Sequence, residues 1–416
     1  MAYCNTRHFY RVALKVKHHG NRAFLASSHR LQKRWAMTVT DSPLLDVAAT
    51  GFPILQPGRG EIASTTYLPA TPGNTLWGRL PCEADAPCAV VQPGSVITVD
   101  TISHEGVLED QGRNPREFFG RYGVSGGHVL DDAQQVAESG MPHDFDDDGP
   151  HLVTGPIAVA GARPGDLLAV TVLDLTPRVP YGMVSARHGF GALPGEMPSL
   201  PGPVFTFATA HAAHHGAWGR IAVDPTDSAR GSLPFPLRPF LGVMGVAVPG
   251  DRRPHSVPPG RHGGNIDVSL LGEGATLFLP VQVDDALVYF GDPHFAQGDG
   301  EVALTAFEAS LRATVKLEVV PGGAAVRPGH GRVAPFAETD EYLVPIGLDE
   351  DLNEAMRDCV RCALNLLATD YGIDRHVAMA YLSAAGDFAV SQVVDGVKGV
   401  HGKIRKSDFR EVGRPD

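Results

Sequence analysis

A chain of 416 residues with 47 acidic and 35 basic side chains, a formal net charge of −12, lacks the basic footprint of a nucleic-acid binder and favours neutral or cationic partners over polyanions. The longest apolar run, Leu241 to Val248, is about eight residues, far short of a membrane span, so a soluble, cytoplasmic protein of two or three domains is expected. Five cysteines, Cys4, Cys82, Cys88, Cys359 and Cys362, form no disulfide framework and fit a reducing compartment.

Residues 1–36 carry eight Lys/Arg and no acid, which leaves 27 basic against 47 acidic residues, a net of −20, for the rest. Residues 1–41 therefore read as a basic leader, disordered or foreign to the native protein, with folded sequence beginning near Met37. With 48 glycines and 34 prolines among short apolar runs, the remainder predicts short strands joined by turns. Gln92-Pro93-Gly94 is a type II turn leading into a strand at 95–101, and Arg163-Pro164-Gly165 opens another at 166–175. Between them, about 112–149, one or two short helices around a glycine break form a flap over a first β domain, 42–200. Gly272-Glu273-Gly274 opens a strand at 275–283 in a central β domain, 201–336, that carries the site loops. Asp349, Glu350 and Asp351 then begin an amphipathic helix running to Tyr371 and stopped by Gly372, and a second helix follows Asp374. Cys359 and Cys362 fall on that first helix as core residues. The fold class is mainly β with α+β elements, a sandwich- or barrel-like multi-domain scaffold with a small helical α+β part at 337–416.

The chemistry concentrates at 291–301, GDPHFAQGDGE, where Asp292, His294, Gln297, Asp299 and Glu301 stand among three glycines. These are the side chains that bind divalent cations or move protons near neutral pH. His104 and Glu105 sit just past the first strand, and His262, Asn265 and Asp267 lie a short way upstream of 291–301. Other patterns fail on detail. The acidic run 144–149 lacks the Glu that a calcium loop needs at its twelfth position, where Gly155 stands. Ser125 in GVSGG follows no strand, and His211, His214 and His215 lack the Glu of a zinc-protease helix.

Longer stretches resemble the acetamidase/formamidase family: YLPATPGNTLWGRLP (67–81), SHEGVLEDQG (103–112), HLVTGPIAVAGARPGDLLAVTVLDL (151–175), PGRHGGNIDV (259–268), LFLPVQV with GDPHFAQGDGEV (277–302) and SQVVDGVKGVH (391–401). The resemblance implies hydrolysis of a small neutral amide, formamide- or acetamide-like, to carboxylate and ammonia, with a bound divalent metal and self-association into a homo-oligomer. Zinc is the expected metal, with calcium the alternative. On chemical grounds His104, Asp267, Asp292 and His294 are the metal ligands. Glu301, Glu105 and Asp299 are the acid/base candidates, His262, Asn265 and Gln297 hold the substrate, and His151 orients a ligand from behind. Two rivals remain: a jelly-roll metal oxygenase, for which His-x-His is missing around His294, and a non-catalytic metal-binding module.

Overall fold

The computed structural model describes residues 45–326 and 335–412; the basic leader and Cys4 lie outside them. The three turn-launched strands form where the turn chemistry puts them. Gly94, Gly165 and Gly274 take φ of 86°, 103° and 83°, and strands Val96–Asp100, Leu167–Pro177 and Thr276–Pro280 follow. All three belong to one nine-stranded sheet. Its long member, Leu311–Val320, lies between the first two, with Val315 opposite both Ile97 and Val172.

The second sheet has eleven strands and is centred on Val288–Ala296. That strand pairs on one side with Phe240–Val246 and on the other with Leu152–Val159 and then Phe307–Glu308. Every residue of Phe240–Val246 and Leu152–Val159 is buried, and neither strand alternates; the one hydroxyl, on Thr154, donates to the Asp100 carbonyl at 2.7 Å. Leu241, Met244 and Phe290 of this sheet and Ile97, Val170 and Leu277 of the other pack in one hydrophobic core. Neither sheet closes on itself, so the barrel alternative does not apply. The nine-stranded sheet takes strands from all three segments marked off by composition, because its pairings join residues more than 200 positions apart, such as Asp100 and Arg312.

The segment expected to be a flap contains helices Pro115–Gly120 and Asp131–Glu138, joined through a short turn at Gly126–His128. Its own Phe118 and Phe119 are buried. A buried ion pair ties it down: Arg178 Nη2 lies 2.8 Å from Asp132 and 3.4 Å from Asp100. The same guanidinium donates to the carbonyls of Leu55 and Thr101 at 3.1 and 3.2 Å.

At the C-terminal end, helix Leu352–Tyr371 starts at Asp351, whose carboxylate accepts from the amides of Asn353 and Glu354 at 2.8 and 3.2 Å. Such a cap contributes about 1 kcal/mol. The helix ends at Gly372 in the left-handed region, φ 63°. Helix Arg375–Ala385 is capped in the same way by Asp374. Cys359 is buried in the contact between the first helix and strand Tyr342–Asp349, donating to the carbonyl of Pro345. Strands Asp387–Gln392 and Lys398–Arg405 close the sheet edge. Among the described residues no helix is long and apolar enough to cross a membrane.

Removing Arg178 would leave Asp132 buried without its cation, while Asp100 keeps Arg312 at 2.7 Å. Arg178→Met is expected to lower the unfolding free energy by about 3–5 kcal/mol, read from the urea denaturation midpoint. A wild-type midpoint would show that this network does not hold the helical segment in place.

Candidate functional site

The site forms where several chain segments turn inward at the central strand of the eleven-stranded sheet. Asp292 and His294 are two apart on Val288–Ala296, and so share a face. His294 is directly opposite Glu308 of the neighbouring strand. His104 and Glu105 lie in the tight turn after Val96–Asp100, where the amide of Val107 bonds the carbonyl of His104 at 3.2 Å. His151 immediately precedes Leu152–Val159. Asp395 arrives from the turn between the last two strands, its amide donating to Gln392 Oε1 at 3.3 Å. Asp267, Asp292 and Glu301 all adopt positive φ, 48°, 50° and 46°. Non-glycine residues hold that conformation at a cost of about 1–3 kcal/mol each, and such strain clusters at functional sites.

His294 Nε2 lies 2.9 Å from Asp292 Oδ2 and 3.0 Å from Glu308 Oε1. His104 Nδ1 is 3.5 Å from Asp292 Oδ1, and its Nε2 is 3.4 Å from Glu105 Oε1. His151 Nε2 stands 3.8 Å from Asp292 Oδ2, while its Nδ1 meets Ser256 Oγ at 3.0 Å. Glu105 accepts from Ser185 Oγ at 2.5 Å and from the Gln111 side-chain amide. All these acids and imidazoles are buried.

Crowding sets the protonation pattern. Burial works against a charged Asp292, but the imidazoles of His294, His151 and His104 hold its carboxyl well below the usual range. Burial opposes charge on His104 too, yet Asp292, Glu105 and Glu308 bring it up to about 10. His294 is held well above its ordinary value, because Glu308 and Asp292 outweigh burial. Burial takes His151 down to about 4, the attraction of Asp292 notwithstanding. For Glu105, burial is overcome by His104, with help from Arg187 and Ser185, and the carboxyl sits at about 2. Burial and the neighbouring Asp292 charge push Glu308 up to about 7. Burial raises Asp267, Glu301 and Asp395 well above the carboxylate range; the charge of Asp395 raises Asp267 further, that of Asp267 raises Glu301, and that of Glu301 raises Asp395.

Of the residues singled out from sequence, His104, Glu105, His151, Asp267, Asp292, His294 and Glu301 come together here. Asp299 does not. It is exposed, and its carboxylate accepts from Ser269 Oγ at 3.3 Å; Gly300, at φ 103°, reverses the chain so that Glu301 rather than Asp299 turns inward. Gln297 is no free amide for a substrate: its Oε1 meets His294 Nδ1 at 3.1 Å and its Nε2 donates to the carbonyls of Asp267 and Ser391 at 2.9 and 3.1 Å. It orients His294. Asn265 is buried with Oδ1 unpartnered. His262 lies against Leu80 and Gly264, taken down to about 4 by burial. Sequence reading missed Glu308 and Asp395. The signals were an acid inside the apolar run AFEAS and an acid in the family-like stretch 391–401. Ser125, His214 and His215 are exposed.

Among the described residues, three groups place ligand atoms within 4.8 Å of one another: His104, His151 and Asp292; Asp267, His294 and Glu301; Asp292, His294 and Glu308. The donor set fits a divalent cation that accepts nitrogen and oxygen ligands. Asp267 Oδ1, Asp292 Oδ1, Glu301 Oε2 and Glu308 Oε2 are buried without a hydrogen-bond donor. Gly242 keeps space open between them, since a Cβ there would come within 2.5 Å of Asp267 Oδ1 and 2.6 Å of Asp292 Oδ2.

Comparison with known proteins follows the same lines. The model of the acetamidase/formamidase family matches residues 131–254 and 246–397, more than half of the chain. An acetamidase of Mycolicibacterium smegmatis is 30% identical over 264 residues, 48% of this chain and 62% of that protein. A formamidase of Methylophilus methylotrophus is 28% identical over 218 residues, 42% of this chain and 52% of its own length. The matched region thus spans between half and two thirds of these curated relatives. Among solved structures, an acetamidase from Bacillus halodurans superposes with a TM-score of 0.63 at 28% identity, covering 83% of this chain and 99% of that one. An acetamidase from Yersinia enterocolitica shares the fold, with a TM-score of 0.63 at 22% identity over 85% and 94% of the two chains.

Gly242→Ala places a methyl group among the site carboxylates. It is expected to cost about 1–3 kcal/mol of stability and to abolish zinc uptake in equilibrium dialysis read by elemental analysis. Wild-type zinc stoichiometry in the variant would refute the placement of a cation beside Gly242.

Proposed function

The chain belongs to the acetamidase/formamidase family, and from that premise we propose that it hydrolyses the carbon–nitrogen bond of a short, neutral carboxamide to a carboxylate and ammonia. The observation that carries this reading is the buried cluster of carboxyl and imidazole groups bordering a small apolar cavity. Amides resist hydrolysis because resonance weakens the carbonyl as an electrophile and the amine as a leaving group. A site for them must polarise oxygen, deprotonate water and protonate nitrogen.

The cation-holding residues in this reading are His104, His151 and Asp292, or Asp267, His294 and Glu301, two groups with no member in common. Zinc suits their mixed nitrogen and oxygen donors better than calcium, which prefers oxygen alone. When bound, such an ion polarises a carbonyl and lowers the pKa of water toward about 7.

Glu308 belongs to neither of those two groups and also lines the cavity. Its carboxyl, pushed up to about 7 by burial and Asp292, is poised to take a proton from the attacking water and return it to the departing nitrogen. Glu105, held ionised by its partners, instead fixes His104. Gln297 fixes His294. The unpartnered Oδ1 of Asn265 supports a role in accepting a substrate N–H.

Thiols outside any disulfide at Cys82, Cys88 and Cys359 fit a cytoplasmic location. The exposed apolar side chains Phe190, Leu193, Met197 and Leu200 support self-association.

Purified protein is expected to release ammonia from formamide or acetamide, to lose this activity with a strong zinc chelator and to regain it on adding zinc. Activity indifferent to complete metal removal would overturn the cation's part in the reading. Glu308→Gln should lower kcat by about 10²–10⁴-fold with its zinc retained, whereas zinc and activity should be lost together in Asp292→Ala where the first group holds the ion and in Glu301→Gln where the second does. A fully active Glu308→Gln enzyme would take Glu308 out of the mechanism.

A further inference from the structure

Glu105 and Glu308 face a cavity of about 20 Å³ whose far wall comes from the helical segment. Phe119, Val129, Leu130 and Ala133 supply that wall, and Tyr181 of the eleven-stranded sheet completes it. A cavity of that size holds about one water-sized group, hence a hydrogen or a methyl but no longer chain.

The wall is anchored on several sides. Gln56 grips the backbone around Leu130, donating to the Val129 carbonyl at 2.9 Å and accepting from the Asp131 amide at 2.8 Å. Asp132, between Leu130 and Ala133, is held 2.8 Å from Arg178. The Tyr181 hydroxyl is turned away to the carbonyl of His128 at 2.9 Å, so Tyr181 presents its ring, whose centroid lies 4.9 Å from that of Phe119 with the planes tilted by 58°. An apolar recess of this kind suits the acyl end of an amide. The nitrogen end needs hydrogen-bond acceptors and a route out for ammonia.

Building on the amide-hydrolase reading, we propose that this cavity is the acyl pocket and that Leu130 and Ala133 set its depth, admitting the hydrogen of formamide or the methyl of acetamide and excluding longer chains. The helical segment then acts as a size gauge, placed against the reacting groups by Arg178 and Gln56.

The test measures kcat/KM of the zinc-loaded, full-length protein for formamide, acetamide, propionamide and butyramide, in wild type, Leu130→Ala and Ala133→Val. One methylene in an apolar pocket changes kcat/KM by about tenfold or more. Wild type should therefore fall at least tenfold from acetamide to propionamide. Leu130→Ala should raise the propionamide-to-acetamide ratio by about tenfold, and Ala133→Val should lower the acetamide-to-formamide ratio by about tenfold. Ala133→Val fills the cavity rather than emptying it, so it tests the same wall even where Leu130→Ala does not fold. Wild-type ratios in a variant that melts as a folded protein overturn the assignment. Calorimetric binding of formate, acetate, propionate and butyrate separates the pocket from the chemistry. Acetate bound and propionate refused, with no ammonia from any amide, upholds the pocket and overturns the hydrolase reading. Binding indifferent to chain length overturns the pocket.

Discussion

Taking an ionised carboxylate out of water costs several kcal/mol even after its surroundings relax, and this protein gathers Glu105, Asp267, Asp292, Glu301, Glu308 and Asp395 around three imidazoles in its interior. Such a cluster is stable only if positive charge is brought in beside it, as imidazolium, as protons on the carboxyls or as a bound cation. His104 and His294 are drawn into the charged form, and four of the six acids are drawn toward the neutral one. This mutual dependence leaves buried carboxylate oxygens without hydrogen-bond donors and pushes the Glu308 carboxyl up to about 7.

The backbone around the cluster answers to the same requirement. Asp292 keeps a left-handed conformation in mid-strand because ladders on both sides hold its neighbours: Gly291 pairs with Val243 on one side and Val153 on the other. Glycines stand where a side chain would intrude. A Cβ on Gly242 would fall among the site oxygens, and one on Gly182 would come within 2.0 Å of the Glu308 carbonyl. The loop carrying Glu301 is stitched to the C-terminal region by the Gly300 amide, which donates to the Ser391 carbonyl at 3.0 Å. The final strands therefore do more than finish a sheet, since they also deliver Asp395 and fix the loop that turns Glu301 inward.

On the other side of the cluster, the helical segment seals the interior from water. Arg178 anchors it from the base of the nine-stranded sheet, through Asp100 and the Thr101 carbonyl, only a few residues before His104 and Glu105. One buried guanidinium thus links the position of the cap to that of two site residues. Exclusion of water strengthens every charge interaction within, so the cap and the electrostatics support each other.

Local chemistry made much of this legible from the chain alone. Pro-Gly turns announced strands because proline and a positive-φ glycine each restrict their own residues, and Asp351, Gly372 and Asp374 marked helix ends because caps act within one turn. The acids and histidines of 291–301 declared a site by composition, and the family-like stretches named its chemistry. What no local pattern contains is which side chains meet. Glu308 joins His294 through strand register, Asp395 arrives after a hundred further residues, and Asp299 and Glu301, two apart in the sequence, part company at a single glycine. Register and backbone reversal are settled by packing across the whole chain, so the tertiary structure alone decided which acids share one buried cluster.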